Sequence, residues 1–174
     1  MKTWNGKSLL PQPCWKSDSA RCVEVHTDAC TAGYGAVHGE QLFAATWTDA
    51  EETSSQRNMR DSMPRKELDA IVVAAATWGS SLGGMHVRLH SDCQPIVMAW
   101  KKGDSAEPGV AELMRSLLFL CAHHDFLLTV EHIAGTDNVC ADLLSRGQIQ
   151  AFKGLLQPHS PSPVTPLPVP TLSW

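Results

Sequence analysis

Hydrophobic and polar residues alternate over residues 23–28, and this period of two predicts a β-strand. Because successive side chains of a strand point to opposite faces, Asp28 is the last residue of the polar face. Small residues, including Gly33 and Gly35, then let the chain turn and return as a second strand over residues 34–38. The pattern therefore places an acidic group at the end of a strand, beside a tight turn. A solvated turn residue is the alternative interpretation, since Asp favours turns.

After a third strand over residues 41–47 and a polar loop, the hydrophobic period changes to that of a helix. Apolar residues recur at helical spacing from Leu68 to Ala75, while Ser62 and Pro64 suit the cap and the first turn. Glu67 lies in that first turn, at the border of the apolar face. A carboxylate there can point over the end of a sheet. An ordinary first-turn Glu favoured by the helix dipole is the alternative.

A second alternating run, over residues 85–90, predicts the fourth strand, and Asp92 ends its polar series. Ser91 or Asp92 can also cap the helix that follows, which makes capping the alternative role. The later pattern predicts two helices, a fifth strand and two short helices, over residues 93–102, 108–124, 126–132, 138–146 and 148–156.

The helix over residues 138–146 has an apolar and a polar side by its pattern. Its apolar side is formed by Val139, Cys140, Leu143 and Leu144. Its polar side carries Asn138, Asp142 and Ser145. From the pattern alone, Asp142 is interpreted as a solvated residue.

The order of these elements predicts an α/β fold with a five-stranded mixed sheet flanked by helices. Its first three strands are antiparallel, and each strand-helix-strand unit requires a right-handed parallel crossover. The fourth strand should therefore lie beside the first, with Asp28 and Asp92 at neighbouring strand ends. Glu67, from the crossover helix, can lean toward both.

The chain divides into four parts by composition. Residues 1–20 form an irregular lead, residues 21–147 the folded domain, and residues 148–157 a short helical extension. Residues 158–174 are rich in proline and are expected to form an extended linker that does not pack.

Composition narrows the classes of function. The 174 residues are 43% hydrophobic, and no apolar run approaches the roughly 20 residues that span a bilayer, so no membrane partner is expected. The net charge of -4 differs from the basic surface of proteins that bind nucleic acid unaided. The six cysteines show no paired spacing and are interpreted as reduced thiols of an intracellular protein.

Four segments together resemble the RNase H domain of retroelement reverse transcriptases, and the last is especially similar to gypsy-like and DIRS-like retrotransposons. They are HTDA at 26–29, PRKELDA at 64–70, HSDC at 90–93 and HIAGTDNVCADLLSR at 132–146. The resemblance covers residues 23–146, and the proline-rich tail is similar to the linker of DIRS-like elements.

The resemblance implies an RNase H-like fold and a two-metal hydrolysis of the RNA strand of RNA–DNA hybrids. It implies that Asp28, Glu67, Asp92 and Asp142 hold two Mg²⁺ or Mn²⁺ ions. Hard carboxylate oxygens suit those ions, and two of them can clamp the attacking and leaving oxygens of a phosphodiester. The implied partners are the hybrid and the reverse transcriptase polymerase domain.

The sequence departs from the family pattern in two places. Cellular members carry a histidine in a mobile loop before the last aspartate, whereas this chain has only residues 135–137 there. His132 and Asn138 are therefore interpreted as supporting residues, His132 lying at a strand end. Of the basic helix that some members insert, only Lys101 and Lys102 remain.

Two other functions compete with the nuclease. The first is a catalytically silent RNase H-like module that binds or scaffolds. The second is a structural zinc site built from His26, Cys30, His90, Cys93 and His123 or His124, although zinc ligands usually come in tight paired spacings.

Overall fold

Strand β1 (Cys22–Ala29) lies in the middle of the sheet, and it forms where hydrophobic and polar residues alternate with a period of two. The structure is a computed structural model that describes residues 21–47, 62–156 and 165–166. The expected lead over residues 1–20, most of the polar loop before Ser62 and most of the tail over residues 158–174 lie outside the described residues.

The sheet has the strand order β5-β4-β1-β2-β3-β6. Strands β1, β2 and β3 pair antiparallel, whereas β4 pairs parallel with both β1 and β5. The expected five-stranded mixed sheet is confirmed, and the fourth strand lies beside the first. The remaining strands are β2 (Gly33–His38), β3 (Gln41–Thr46), β4 (His86–Ser91), β5 (Leu127–His132) and β6 (Thr165–Pro166).

Strand β6 departs from the expected linker, because two residues of the proline-rich segment pair parallel with β3. The position is at the edge of the sheet, which is where proline is tolerated, since it has no N–H to donate to a second neighbour.

Within the described residues, five helices accompany the sheet, and a short 3₁₀ turn (Gly79–Ser81) extends the first of them. Ser62 caps the first helix as expected, because its side chain accepts a hydrogen bond from the Arg65 main-chain N–H. The second helix is not capped by Ser91 or Asp92 as expected. That helix follows Cys93, whose N–H donates to Ser91 Oγ at 3.1 Å. The helices are α1 (Met63–Trp78), α2 (Gln94–Lys102), α3 (Pro108–His123), α4 (Val139–Ser145) and α5 (Ile149–Leu156).

Apolar side chains cover both faces of the sheet. The larger core joins one face to α1, α2 and α3, around Trp78, Ile71 and Leu117. On the other face, Leu144 and Phe152 from α4 and α5 pack against Leu42 of β3. The two cores bring α1 and α4 to opposite faces of one sheet. None of the helices in the described part of the chain combines the length and apolar character that crossing a membrane requires.

Candidate metal centre

Asp28 lies at the end of β1, where register places it opposite Gly35 of the neighbouring strand. The residue is only 5% exposed. An ionised carboxylate in such a position loses most of its hydration, so its burial needs compensation by hydrogen bonds or by cations. Asp28 is therefore a buried residue at the end of β1 and not a solvated turn residue.

Glu67 reaches the same region from α1 and is 4% exposed, although it follows the first turn of that helix and does not lie within it as expected. Its Oε2 atom has no hydrogen-bond partner. Buried polar atoms are almost always paired, so an orphaned carboxylate oxygen calls for a ligand such as a cation. A first-turn Glu that only served the helix dipole would remain hydrated.

Asp92 completes a group of three at the end of β4. One carboxylate oxygen each from Asp28, Glu67 and Asp92 lies within 4.8 Å of the others. At about 4 Å, two unit negative charges repel by about 4 kcal/mol at an effective dielectric of 20. The fold therefore holds together three groups that repel one another unless they take up protons or cations.

Burial and mutual repulsion raise the pKa values of two of these carboxyl groups, Glu67 and Asp28. Burial, together with the smaller effect of the negative charges of Asp28 and Asp92, raises the pKa of Glu67 to about 8. Burial also raises the pKa of Asp28 to about 6, with a smaller contribution from Asp92 and Asp142. A hydrogen bond from Ser145 opposes the shift at Asp28. In the absence of cations, protons occupy part of this site at neutral pH.

Asp142 lies near the group of three but is not one of its members. Its Oδ1 atom accepts a hydrogen bond of 2.7 Å from Nε of Arg146, one turn later on α4. Both side chains are partly exposed, Asp142 by 37% and Arg146 by 54%. Three of the four expected residues thus converge, while the fourth is held in an ion pair beside them.

Helix α4 approaches the sheet closely because two glycines leave room for it. A Cβ atom on Gly35 would lie 2.4 Å from the Leu144 Cβ atom of α4, a distance that no real side chain tolerates. A Cβ atom on Gly33 would lie 3.1 Å from the Ser145 main-chain oxygen of α4 and 2.2 Å from the Ala45 main-chain oxygen of β3. The glycines that sequence analysis assigned to a turn therefore also bring α4 onto β2, next to Asp28.

The polar and apolar sides of α4 do not coincide with its exposed and buried sides. Asn138 and Ser145, from its polar side, are each 2% exposed, whereas Val139, from its apolar side, is 42% exposed. The reason is that the helix lies on polar groups at the end of β1, and Asn138 and Ser145 form hydrogen bonds with those groups. Asp142 is the member of the polar side that stays partly exposed.

Ser145 is the functional residue that sequence reasoning missed. Its hydroxyl donates a hydrogen bond of 2.5 Å to Asp28 Oδ2, and its main-chain oxygen accepts one of 3.2 Å from the Cys30 thiol. The signal was its i+3 position after Asp142 in the motif, which places both residues on one side of a helix.

The two supporting residues have different surroundings. Asn138 donates from its amide Nδ2 to the Thr27 main-chain oxygen at 2.9 Å, which ties the start of α4 to β1. His132 lies exposed at the end of β5, paired in register with Ser91. After it, Gly135 comes close to the site, because a Cβ atom there would lie 3.0 Å from Asp92 Oδ2.

The zinc alternative lacks a converging ligand set. Within residues 21–47, 62–156 and 165–166, the acidic trio is the one group of three or more potential ligands that meets. His26 and His90 do approach, but they stack ring on ring at 4.7 Å, and His90 Nε2 bonds Glu24 instead. Three buried or half-buried carboxylates are hard oxygen ligands, and these residues fit Mg²⁺ or Mn²⁺ rather than zinc.

Solved structures with the same architecture are RNase H1 proteins. RNase H1 from the halophilic archaeon Halobacterium salinarum NRC-1 is 14% identical, with 75% of this chain and 98% of that chain covered and a TM-score of 0.54. LC11-RNase H1, isolated from compost by a metagenomic approach, is 19% identical, with 78% and 99% covered and a TM-score of 0.55.

A structure of LC11-RNase H1 in complex with an RNA/DNA hybrid matches at 18% identity and a TM-score of 0.54, with 77% of this chain and 98% of that chain covered. No family model and no curated protein sequence matches this chain. At these identities the likeness establishes the RNase H-like fold.

Proposed function

We propose that this chain is a ribonuclease H, a metal-dependent hydrolase that cleaves the RNA strand of RNA–DNA hybrids. The observation that carries the proposal is the convergence of Asp28, Glu67 and Asp92 within 4.8 Å at the strand ends of an RNase H-like sheet. The buried Oε2 atom of Glu67, which has no partner, adds the second observation. Both features are costly without a cation.

The proposed reaction adds one water across a phosphodiester bond. The water oxygen attacks phosphorus, the bond from phosphorus to the 3′ oxygen breaks, and the leaving oxygen takes up a proton to become a hydroxyl. Two bound Mg²⁺ or Mn²⁺ ions would supply activation of that water and stabilisation of the leaving oxygen.

The residues of the chain would contribute to this reaction by positioning the metal ions. Asp28, Glu67 and Asp92 would hold the ions in place, and Asp142 would join them as the fourth ligand. Ser145 orients Asp28 through its hydrogen bond. The burial of Asp28 and Glu67 excludes water from the ligand oxygens, which strengthens every electrostatic interaction in the site.

An RNA–DNA hybrid is the substrate that the fold comparison supports best, since one matching RNase H1 is described in complex with such a hybrid. In an A-like hybrid, the 2′-hydroxyls of the RNA strand line the shallow minor groove and distinguish RNA from DNA. Selection of the RNA strand would therefore depend on contacts to those hydroxyls beside the acidic trio.

The finer context that we propose is a retroelement reverse transcriptase with its polymerase domain as partner, in an intracellular setting. The support is the closing motif over residues 132–146. The net charge of -4 agrees with a domain that relies on a partner to hold its substrate. The isolated chain should accordingly bind a hybrid weakly at physiological salt, with a Kd of about 1 µM or higher. A nanomolar Kd would contradict the need for a partner.

The first test is cleavage of a hybrid whose RNA strand is labelled. The purified chain should cut that strand with Mn²⁺ or Mg²⁺, stop when a chelator is added, and leave a DNA duplex of the same sequence intact. Asp28→Asn and Asp92→Asn should each lower the rate by about 100-fold or more, because each removes a charged ligand.

Asp104→Asn is the matched control, since it makes the same chemical change at an exposed side chain of a surface ion pair. It should cleave at the wild-type rate, and circular dichroism should show the same fold for all variants. Cleavage that persists in both site variants would overturn the site. Hybrid binding without cleavage at any metal concentration would instead favour the silent module.

A further inference from the structure

Asp142 and Arg146 form an ion pair on α4 at the edge of the metal centre. The Nε atom of Arg146 lies 2.7 Å from Oδ1 of Asp142, with the two residues at i and i+4 of one helix. Asp142 is the one carboxylate of the expected four that does not converge with the others. One of its two carboxylate oxygens, Oδ1, is therefore already bonded to a guanidinium.

We infer that Arg146 acts as a built-in counter-ion, which holds Asp142 in the metal-free protein and competes with divalent cations for it. This inference rests on the proposed function, since it concerns the fourth ligand of the same site. Arg146 neutralises the charge of Asp142 until a cation arrives. A cation that takes the Oδ1 atom must displace the guanidinium.

The exposure of the pair explains why such a release is feasible. The side chains of Asp142 and Arg146 are 37% and 54% exposed, so water screens their attraction. Ion pairs of this kind are weak, which keeps Asp142 available to a stronger cation. Asp28 and Glu67 are buried and have no comparable exchange of partners.

The positive charge of Arg146 acts beyond Asp142. It lowers the pKa of Asp28, in opposition to the larger effect of burial. The positive charge of Arg146 therefore reaches Asp28 as well as Asp142, and a divalent cation that enters the site meets its repulsion. Removal of that charge should make cation binding stronger, whereas removal of a residue that merely orients a ligand should make it weaker.

The test measures Mn²⁺ binding directly, from the electron paramagnetic resonance signal of free Mn²⁺ during titration of the full chain. Arg146→Met removes the charge and keeps the length of the side chain, and it should lower the Mn²⁺ dissociation constant by about two- to fivefold. Arg146→Lys keeps the charge and should stay near the wild-type value. Lys153→Met, on the exposed side of α5, changes the net charge equally and should have no effect.

A second background isolates the pair. In protein that already carries Asp142→Asn, Arg146→Met should change the dissociation constant by much less, because the competed ligand is gone. An unchanged or higher dissociation constant for Arg146→Met alone would overturn the inference and leave the proposed function standing. Wild-type protein that binds no Mn²⁺ would overturn both.

Discussion

Ser145 and Asp28 are 117 residues apart in the chain, and their side chains meet in a buried hydrogen bond of 2.5 Å. The bond connects the last residue of α4 to the end of the central strand. It satisfies one oxygen of the carboxylate and opposes the rise in the pKa of Asp28 that burial causes. A neutral side chain thus favours the charged form of a candidate metal ligand.

Ser145→Ala should shift the acid limb of metal binding and of hydrolysis to higher pH. The hydroxyl lowers the pKa of Asp28, so its loss moves that pKa further above about 6. A hydrogen bond to a charged group corresponds to a shift of about one pH unit. The pH dependence of kcat/KM and of Mn²⁺ affinity measures the shift. Ser116→Ala is the control, because that hydroxyl is exposed and bonds within α3. Profiles that superimpose for wild type and Ser145→Ala would contradict the role.

Glu67→Gln should stabilise the metal-free protein at pH 8 and abolish hydrolysis. The folded pKa of Glu67 is raised from 4.5 to about 8, so the folded protein binds a proton that the unfolded chain has lost. The contribution of Glu67 to the free energy of unfolding is therefore fully present below pH 4.5 and is lost as the pH rises through about 8. The amide has no proton to lose, so the variant should gain about 2 kcal/mol or more over wild type at pH 8.

Urea unfolding at pH 5 and pH 8 in the presence of a chelator measures this difference. Glu112→Gln, on the exposed side of α3, should leave the pH dependence unchanged. Equal losses of stability in wild type and Glu67→Gln between the two pH values would show that Glu67 is not buried with a raised pKa.

Gly35→Ala should displace α4 and weaken the metal centre. The added Cβ atom would lie 2.4 Å from the Leu144 Cβ atom, so the helix or the strand must move. Overpacking of this kind costs about 1–3 kcal/mol of unfolding free energy, and the displaced Ser145 should weaken Mn²⁺ binding by about tenfold. Gly154→Ala is the matched control, since no atom lies within 4 Å of its added Cβ. Wild-type stability in Gly35→Ala would mean that α4 does not rest on β2.

The two supporting residues should differ sharply when truncated. Asn138→Ala removes the buried hydrogen bond to Thr27 and should cost about 1–3 kcal/mol of stability. His132→Ala changes an exposed side chain and should stay within about 0.5 kcal/mol of wild type. Denaturant unfolding of both variants provides the measurement. A larger loss for His132→Ala than for Asn138→Ala would reverse the assignment of which residue supports the site.

Much of the fold follows from the sequence because its signals are local. The alternation of β1 and β4 located Asp28 and Asp92 at strand ends, and the helical period of α1 located Glu67 near the start of that helix. The rule for parallel crossovers then placed those two strands side by side. Three ligands of the candidate metal centre could therefore be predicted to meet.

The sequence alone determined the order, the type and the approximate position of each strand and helix, since these depend on neighbours a few positions away. Tertiary structure decided which face of α4 is buried, that Ser145 bonds Asp28, and that Asp142 pairs with Arg146. The physical reason is that α4 is only 7 residues long and rests on Gly35 at the polar end of a sheet. Its own hydrophobic pattern carries no information about a surface formed by residues more than 100 positions earlier in the chain.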